Sequence, residues 1–106
     1  MIRRKREHDA AREELREAAL FYERNREGWG DVFLDAVDAA VASILDATIS
    51  WGFYDDRVTV PQLYSRSVHG FPYDLIYVAT DSDVVILAYA PERRRPGYWS
   101  DRLSDL

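Results

Sequence analysis

The chain has 106 residues, of which 47% are hydrophobic and 13% aromatic, with a net charge of −5 and no cysteine. That length holds one domain, residues 1–106, and that apolar content is enough for a packed core, which argues against wholesale disorder. The lack of cysteine excludes disulfides, thiolate zinc sites and cysteine nucleophiles. Since His8 and His69 are the only histidines, a histidine zinc site is nearly excluded too, and neither metal nor cofactor is expected.

No apolar run approaches the roughly 20 residues that cross a bilayer. The basic stretch Arg3-Arg4-Lys5-Arg6 is followed by Glu7-His8-Asp9 rather than by an apolar segment, so no signal peptide is predicted and the cytoplasm is the expected location. The acidic total argues mildly against a general nucleic-acid binder. Basic residues gather at Arg3–Arg6 and Arg93–Arg95, and 13 of the 14 are arginine, the side chain suited to bidentate contacts with phosphate or carboxylate.

In chain order, residues 2–7 read as a short edge strand carrying charged side chains. Asp9 is a candidate N-cap for a first helix, in which Ala11, Leu15, Ala18, Ala19 and Tyr22 form one apolar stripe. Glu13, Glu14, Arg16, Glu17 and Glu23 are assigned to the opposite face, and Gly28 to the helix stop. Trp29-Gly30-Asp31 reads as a turn, with Asp31 a candidate cap. A second helix is predicted from about Val32 to Ala47, with the stripe Phe33, Val37, Ala40, Val41 and Ile44. The short connection predicts an antiparallel helical hairpin.

Residues 49–62 read as a loop, broken by Trp51, Gly52, Asp55, Asp56 and Pro61. Gln62–His69 alternates weakly. Phe71–Ala79 is apolar on both faces, with Phe71, Tyr73, Leu75 and Tyr77 on one and Ile76 and Val78 on the other, as in a central strand. After a turn at Thr80–Asp83, Val84–Tyr89 reads as a buried strand forming a hairpin with it. Arg93–Leu106 is predicted to be a loop with a short terminal helix. The predicted fold is α+β, in the order β-α-α-β-β-β, with a two-helix antiparallel hairpin packed on one face of a small, mainly antiparallel sheet.

Local motifs sharpen this order. Ala10–Leu15 with Ala18, Ala19 and Phe21-Tyr22-Glu23, then Gly28-Trp29-Gly30 with Phe33, resemble the opening helices of the RelE/ParE toxin superfamily. Gly70-Phe71-Pro72-Tyr73-Asp74-Leu75-Ile76-Tyr77 resembles its central strand. Val85–Ala88 followed by Arg93-Arg94-Arg95-Pro96-Gly97-Tyr98-Trp99 is similar to its closing strand and tail. The likeness spans about residues 2–102. It implies a plasmid-stabilisation-type toxin of a type II toxin–antitoxin system, inhibiting growth and neutralised by a cognate antitoxin. One branch of the family poisons DNA gyrase; the other cleaves messenger RNA on the ribosome. A shared fold does not choose between them.

RNA cleavage needs a proton-transfer group and cations around the phosphate. The candidates are Arg66, Arg93, Arg94 and Tyr98, with Arg95 beside them. Tyr73, Arg93, Arg94, Arg95, Tyr98 and Trp99 are the candidate contacts for a target or antitoxin. Three features depart from the nuclease pattern. Asp74 stands where RelE-like nucleases carry an arginine, and a carboxylate repels a phosphate by roughly 1 kcal/mol at about 4 Å even in water. Pro91 stands where many relatives have histidine. Lys5 is the only lysine, so the lysines of the nuclease branch are missing. The expectation is therefore a ParE-like action on gyrase. The alternatives are a ribosome-dependent endonuclease and a non-toxic interaction domain that keeps the fold.

Plainer roles are open for the same residues. Tyr73 and Tyr77 suit the sheet face, and Tyr98 and Trp99 suit packing of the tail onto the sheet. Arg93–Arg95 suit a solvated run. His69 suits a turn and His8 the start of the first helix, while Asp74 suits an ion pair with an arginine on a neighbouring strand. Arg3–Arg6 suit edge protection.

Overall fold

The order expected from the sequence is the order in the chain. A computed structural model describes residues 2–46, 52–54 and 61–106. It places strand β1 at Arg4–Glu7, helix α1 at Asp9–Asn25, helix α2 at Trp29–Leu45, and strands β2 at Leu63–Ser67, β3 at Tyr73–Ala79 and β4 at Asp83–Pro91, before a terminal 3₁₀ helix at Ser100–Asp105. Ala47 and positions 49–51 and 55–60, with Trp51, Asp55 and Asp56, lie outside the described residues.

The helices start and stop elsewhere than predicted. His8, not Asp9, caps α1: its backbone is extended and its Nδ1 accepts the Ala10 N–H at 3.1 Å. The ring's Nε2 lies 2.6 Å from Asp105 of the terminal helix. Helix α1 ends at Asn25, and Gly28 becomes the N-cap of α2 at a left-handed φ of 86°, a conformation glycine adopts without steric cost. Asp31 falls inside α2. The amides that open α2 are satisfied by Glu23 of α1, whose two carboxylate oxygens accept from the Gly28 and Gly30 N–H groups, each at 3.0 Å. An anion at a helix N-terminus also opposes its dipole favourably. At the other end of α2, Arg3 donates its backbone N–H to the Leu45 carbonyl at 2.8 Å.

The sheet order is β1-β4-β3-β2. Strands β2, β3 and β4 pair antiparallel in sequence, and β1 lies parallel to β4 at the edge. β1 is short, charged and exposed, as an edge strand should be. Arg4 reaches Asp83 at 3.0 Å along it. Beyond β2, Phe53 bridges Tyr64.

The predicted helix stripes are the buried ones. Ala11 and Ala18 of α1 pack with Phe33, Val37, Ala40, Val41 and Ile44 of α2 on Leu75, Tyr77, Val84, Ile86 and Tyr89. On the opposite sheet face, Leu63, Ile76, Val78, Leu87 and Ala88 pack against Trp99, with Tyr98 and Leu103 alongside. The C-terminal tail is thus the second layer, and Trp99 is 3% exposed.

Strand β4 does not alternate throughout. Tyr77 is in register with Ile86, while Ile76 is in register with Ala88, so Leu87 is an extra residue in a β-bulge. Leu87 and Ala88 both face the tail, and Tyr89 returns to the helix side. Without the bulge, strict period-two alternation would send Tyr89 to the wrong face.

Candidate functional site

Strand β1 ends its pairing at Ile86, so the same edge of β4 continues without a strand partner. An unpaired edge leaves backbone groups that need satisfaction. Two side chains supply it. Glu14 Oε1 accepts the Tyr89 N–H at 3.2 Å, and Arg102 Nη1 donates to the Leu87 carbonyl at 2.8 Å. These two residues also pair with each other: Arg102 Nη1 and Nη2 lie 2.9 and 3.0 Å from the two Glu14 oxygens. Tyr98 adds its hydroxyl, donating to Glu14 at 2.5 Å. Arg94 lies 4.0 Å from the same carboxylate, and its guanidinium sits 3.8 Å over the Tyr98 ring. Glu14 is therefore the hub that fastens the tail to α1 and to the sheet edge.

The sequence reading assigned Glu14 to the solvent face, and the structure corrects this. Glu14 follows Ala11 by three residues and precedes Ala18 by four, so it lies in line with the buried stripe. Its side chain is only 15% exposed. The charge of Glu14 points to solvent, while its spacing from Ala11 and Ala18 points to the buried face, and the spacing prevails. Arg102 carries no sequence signal that distinguishes it from any other tail arginine.

The Tyr98 phenol is pushed up, first by burial and then by its hydrogen bond to Glu14. It is held neutral and committed to donating, which is the opposite of a general base. Tyr89 is raised in the same direction by burial and by its hydrogen bond to Glu7. Burial pushes Tyr77 up to about 12, and it belongs to the core, where its ring stacks on Tyr64 at 5.5 Å.

A second neighbourhood lies at the far end of α1. Phe21, Tyr22, Pro72, Tyr73, Pro91, Glu92 and Arg93 line a groove of about 370 Å³. Its floor, Tyr22 and Tyr73, is backed by rings meeting edge to face: Tyr22 with Phe71 at 4.9 Å, Phe33 with Phe71 at 5.1 Å and with Tyr73 at 5.3 Å. Tyr22 and Tyr73 are both raised by burial, and the Arg93 charge opposes the rise in each. Arg93 forms no ion pair among the described residues.

The remaining predicted residues go elsewhere. Arg66 turns toward α2, with Nε 3.2 Å from the Ser43 hydroxyl. It is in register with Leu75, and Leu75 with Tyr89, so about two strand spacings of ~4.8 Å separate its backbone from the strand that Glu14 touches. Arg95 lines a shallow cleft of about 90 Å³ with Asp74, Arg94, Tyr98 and Trp99. Asp74 forms no ion pair among the described residues, contrary to the expectation of a cross-strand arginine partner. His69 sits in the exposed turn before Gly70, as expected.

The candidate set thus divides. Tyr73 and Arg93 share the aromatic groove, and Arg94 and Tyr98 share the Glu14 hub. Arg66 joins neither, and Trp99 is core. Among the described residues, no group of acidic or histidine side chains is arranged to hold a metal, and no helix is long and apolar enough to cross a membrane. Neither a protein-family model nor a curated protein matches this chain.

Proposed function

We propose that this chain is the toxin of a type II toxin–antitoxin pair of the RelE/ParE kind, acting in the cytoplasm on DNA gyrase and neutralised by a cognate antitoxin. The ordered motifs from Ala10 to Trp99 support the superfamily, and the α+β layout of two helices on a four-stranded sheet is compatible with it.

One observation carries the choice of a protein target over an RNA substrate: the candidate nuclease residues occupy separate neighbourhoods. Phosphodiester cleavage needs its proton-transfer group and its cations within reach of one phosphate. Tyr98, Arg94 and Arg102 instead surround the Glu14 carboxylate, which occupies the position of the anion and would repel another. The net charge of −5 also disfavours docking into an RNA groove.

Induced expression in bacteria tests the reading. Growth arrest with gyrase-cleaved DNA accumulating and message intact is the expected result. Arrest with message cut inside codons would transfer the chain to the ribosome-dependent branch. Unimpaired growth at high expression would leave a non-toxic interaction domain.

A further inference from the structure

We infer that the groove at the end of α1 is a docking site for an acidic protein segment, in which an apolar side chain enters the aromatic floor and a neighbouring carboxylate pairs with Arg93. The inference deepens the reading above, on which it rests only for the existence of a protein partner, and it assigns that partner's contact to this groove rather than to the Glu14 hub.

The chemistry of the lining selects this occupant. Phe21 is 44% exposed although it is aromatic, and with Tyr22, Tyr73, Pro72 and Pro91 it makes the walls apolar. Edge-to-face contacts between Tyr22, Phe33, Phe71 and Tyr73 hold the floor in place, so a ligand meets a surface already ordered and loses little to reorganisation. A volume of about 370 Å³ takes one aromatic or branched aliphatic side chain with its flanking backbone.

Charge then decides the class of partner. Arg93 is exposed at the rim, without an ion pair among the described residues. Its guanidinium offers a planar fork suited to a carboxylate. A nucleic acid would bring a phosphate at every step to a chain of net charge −5 with Glu92 on the same rim. A peptide brings one or two carboxylates at chosen positions and leaves Glu92 in water. The hub offers no comparable surface, because Arg94, Tyr98 and Arg102 already share Glu14.

The test is to pan a random-peptide library displayed on phage against the whole protein, and to measure the selected peptides against variants. Binders carrying an aromatic or aliphatic residue within two positions of Asp or Glu are expected. Arg93→Glu and Phe21→Ser should each weaken them about tenfold or more, while Arg24→Glu, on the exposed face of α1, should not. Repanning against Arg93→Glu should select lysine or arginine beside the apolar anchor. Binders without acidic residues, binders indifferent to Arg93→Glu and Phe21→Ser, or no binders at all would each overturn the proposal. So would a mixed-sequence single-stranded RNA oligonucleotide that binds the protein and loses binding in Arg93→Glu. Failure of the growth assay with retained peptide binding would remove the toxin reading and leave this site standing.

Discussion

Glu14 and Arg102, 88 residues apart, meet fork to fork, with both carboxylate oxygens within 3.0 Å of a guanidinium nitrogen. Neither side chain is more than 15% exposed. This pair ties the last residues of the chain to the first helix, and each partner also closes one backbone group of the β4 edge.

Removing one partner of such a pair strands the other charge. Glu14→Ala is expected to lower the free energy of unfolding by about 3 kcal/mol, seen as a lower urea midpoint at unchanged slope. Arg102→Met should cost less, because Glu14 keeps Tyr98 and the Tyr89 amide. In a double-mutant cycle the two should couple by about 1–3 kcal/mol. A coupling near zero would mean that the tail is held by its other contacts, Trp99 and the His8–Asp105 pair among them.

The two helices approach closely at Gly30, where an added Cβ would stand 2.9 Å from both the Ala19 carbonyl oxygen and the Glu23 carboxylate. Gly30→Ala should destabilise by roughly 1–3 kcal/mol through overpacking and through displacement of the Glu23 cap. Gly28→Ala meets no neighbouring atom but must hold a φ of 86°, at a cost of about 1–2 kcal/mol. An undiminished melting temperature in Gly30→Ala would show that the helices are free to separate.

The bulge at Leu87 makes a sharper prediction. Inserting one alanine between Ala88 and Tyr89 shifts the alternation by one and turns Tyr89 away from Glu7 and the helices, so the near-ultraviolet signal of packed aromatics should disappear. Leu87→Ala keeps the bulge and loses only buried volume, at about 2–5 kcal/mol, with the fold retained. An insertion variant as stable as Leu87→Ala would show that the bulge does not set the register.

Alkaline stability follows from the buried phenols. Burial raises Tyr77 from 10.0 to about 12, so the folded state holds this proton more tightly than the unfolded chain does. Its contribution is complete below pH 10 and is lost as pH rises from 10 through about 12. Tyr89 and Tyr98 shift in the same direction. Tyr77→Phe should therefore flatten the fall of the urea midpoint above pH 10. Parallel pH profiles for the two proteins would refute the assignment.

Periodicity by itself determined much of this protein. The α2 stripe Phe33, Val37, Ala40, Val41 and Ile44 is the buried face of that helix. The two faces of β3, with Leu75 and Tyr77 against Ile76 and Val78, separate into the two cores as alternation required. These features are local: side-chain direction repeats every 3.6 or 2 residues, so apolar spacing alone reveals the buried face.

Tertiary structure decided what is not periodic. The bulge at Leu87 breaks the repeat that makes strands legible, and while Trp99 suits packing of the tail onto the sheet, only the tertiary structure decides that it covers the face opposite the helices. Glu14 joins Tyr89, Tyr98 and Arg102 across at least 75 residues of chain. Such a site is defined by which backbone groups the end of β1 leaves unpaired, a property of the sheet edge that no stretch of neighbouring residues contains.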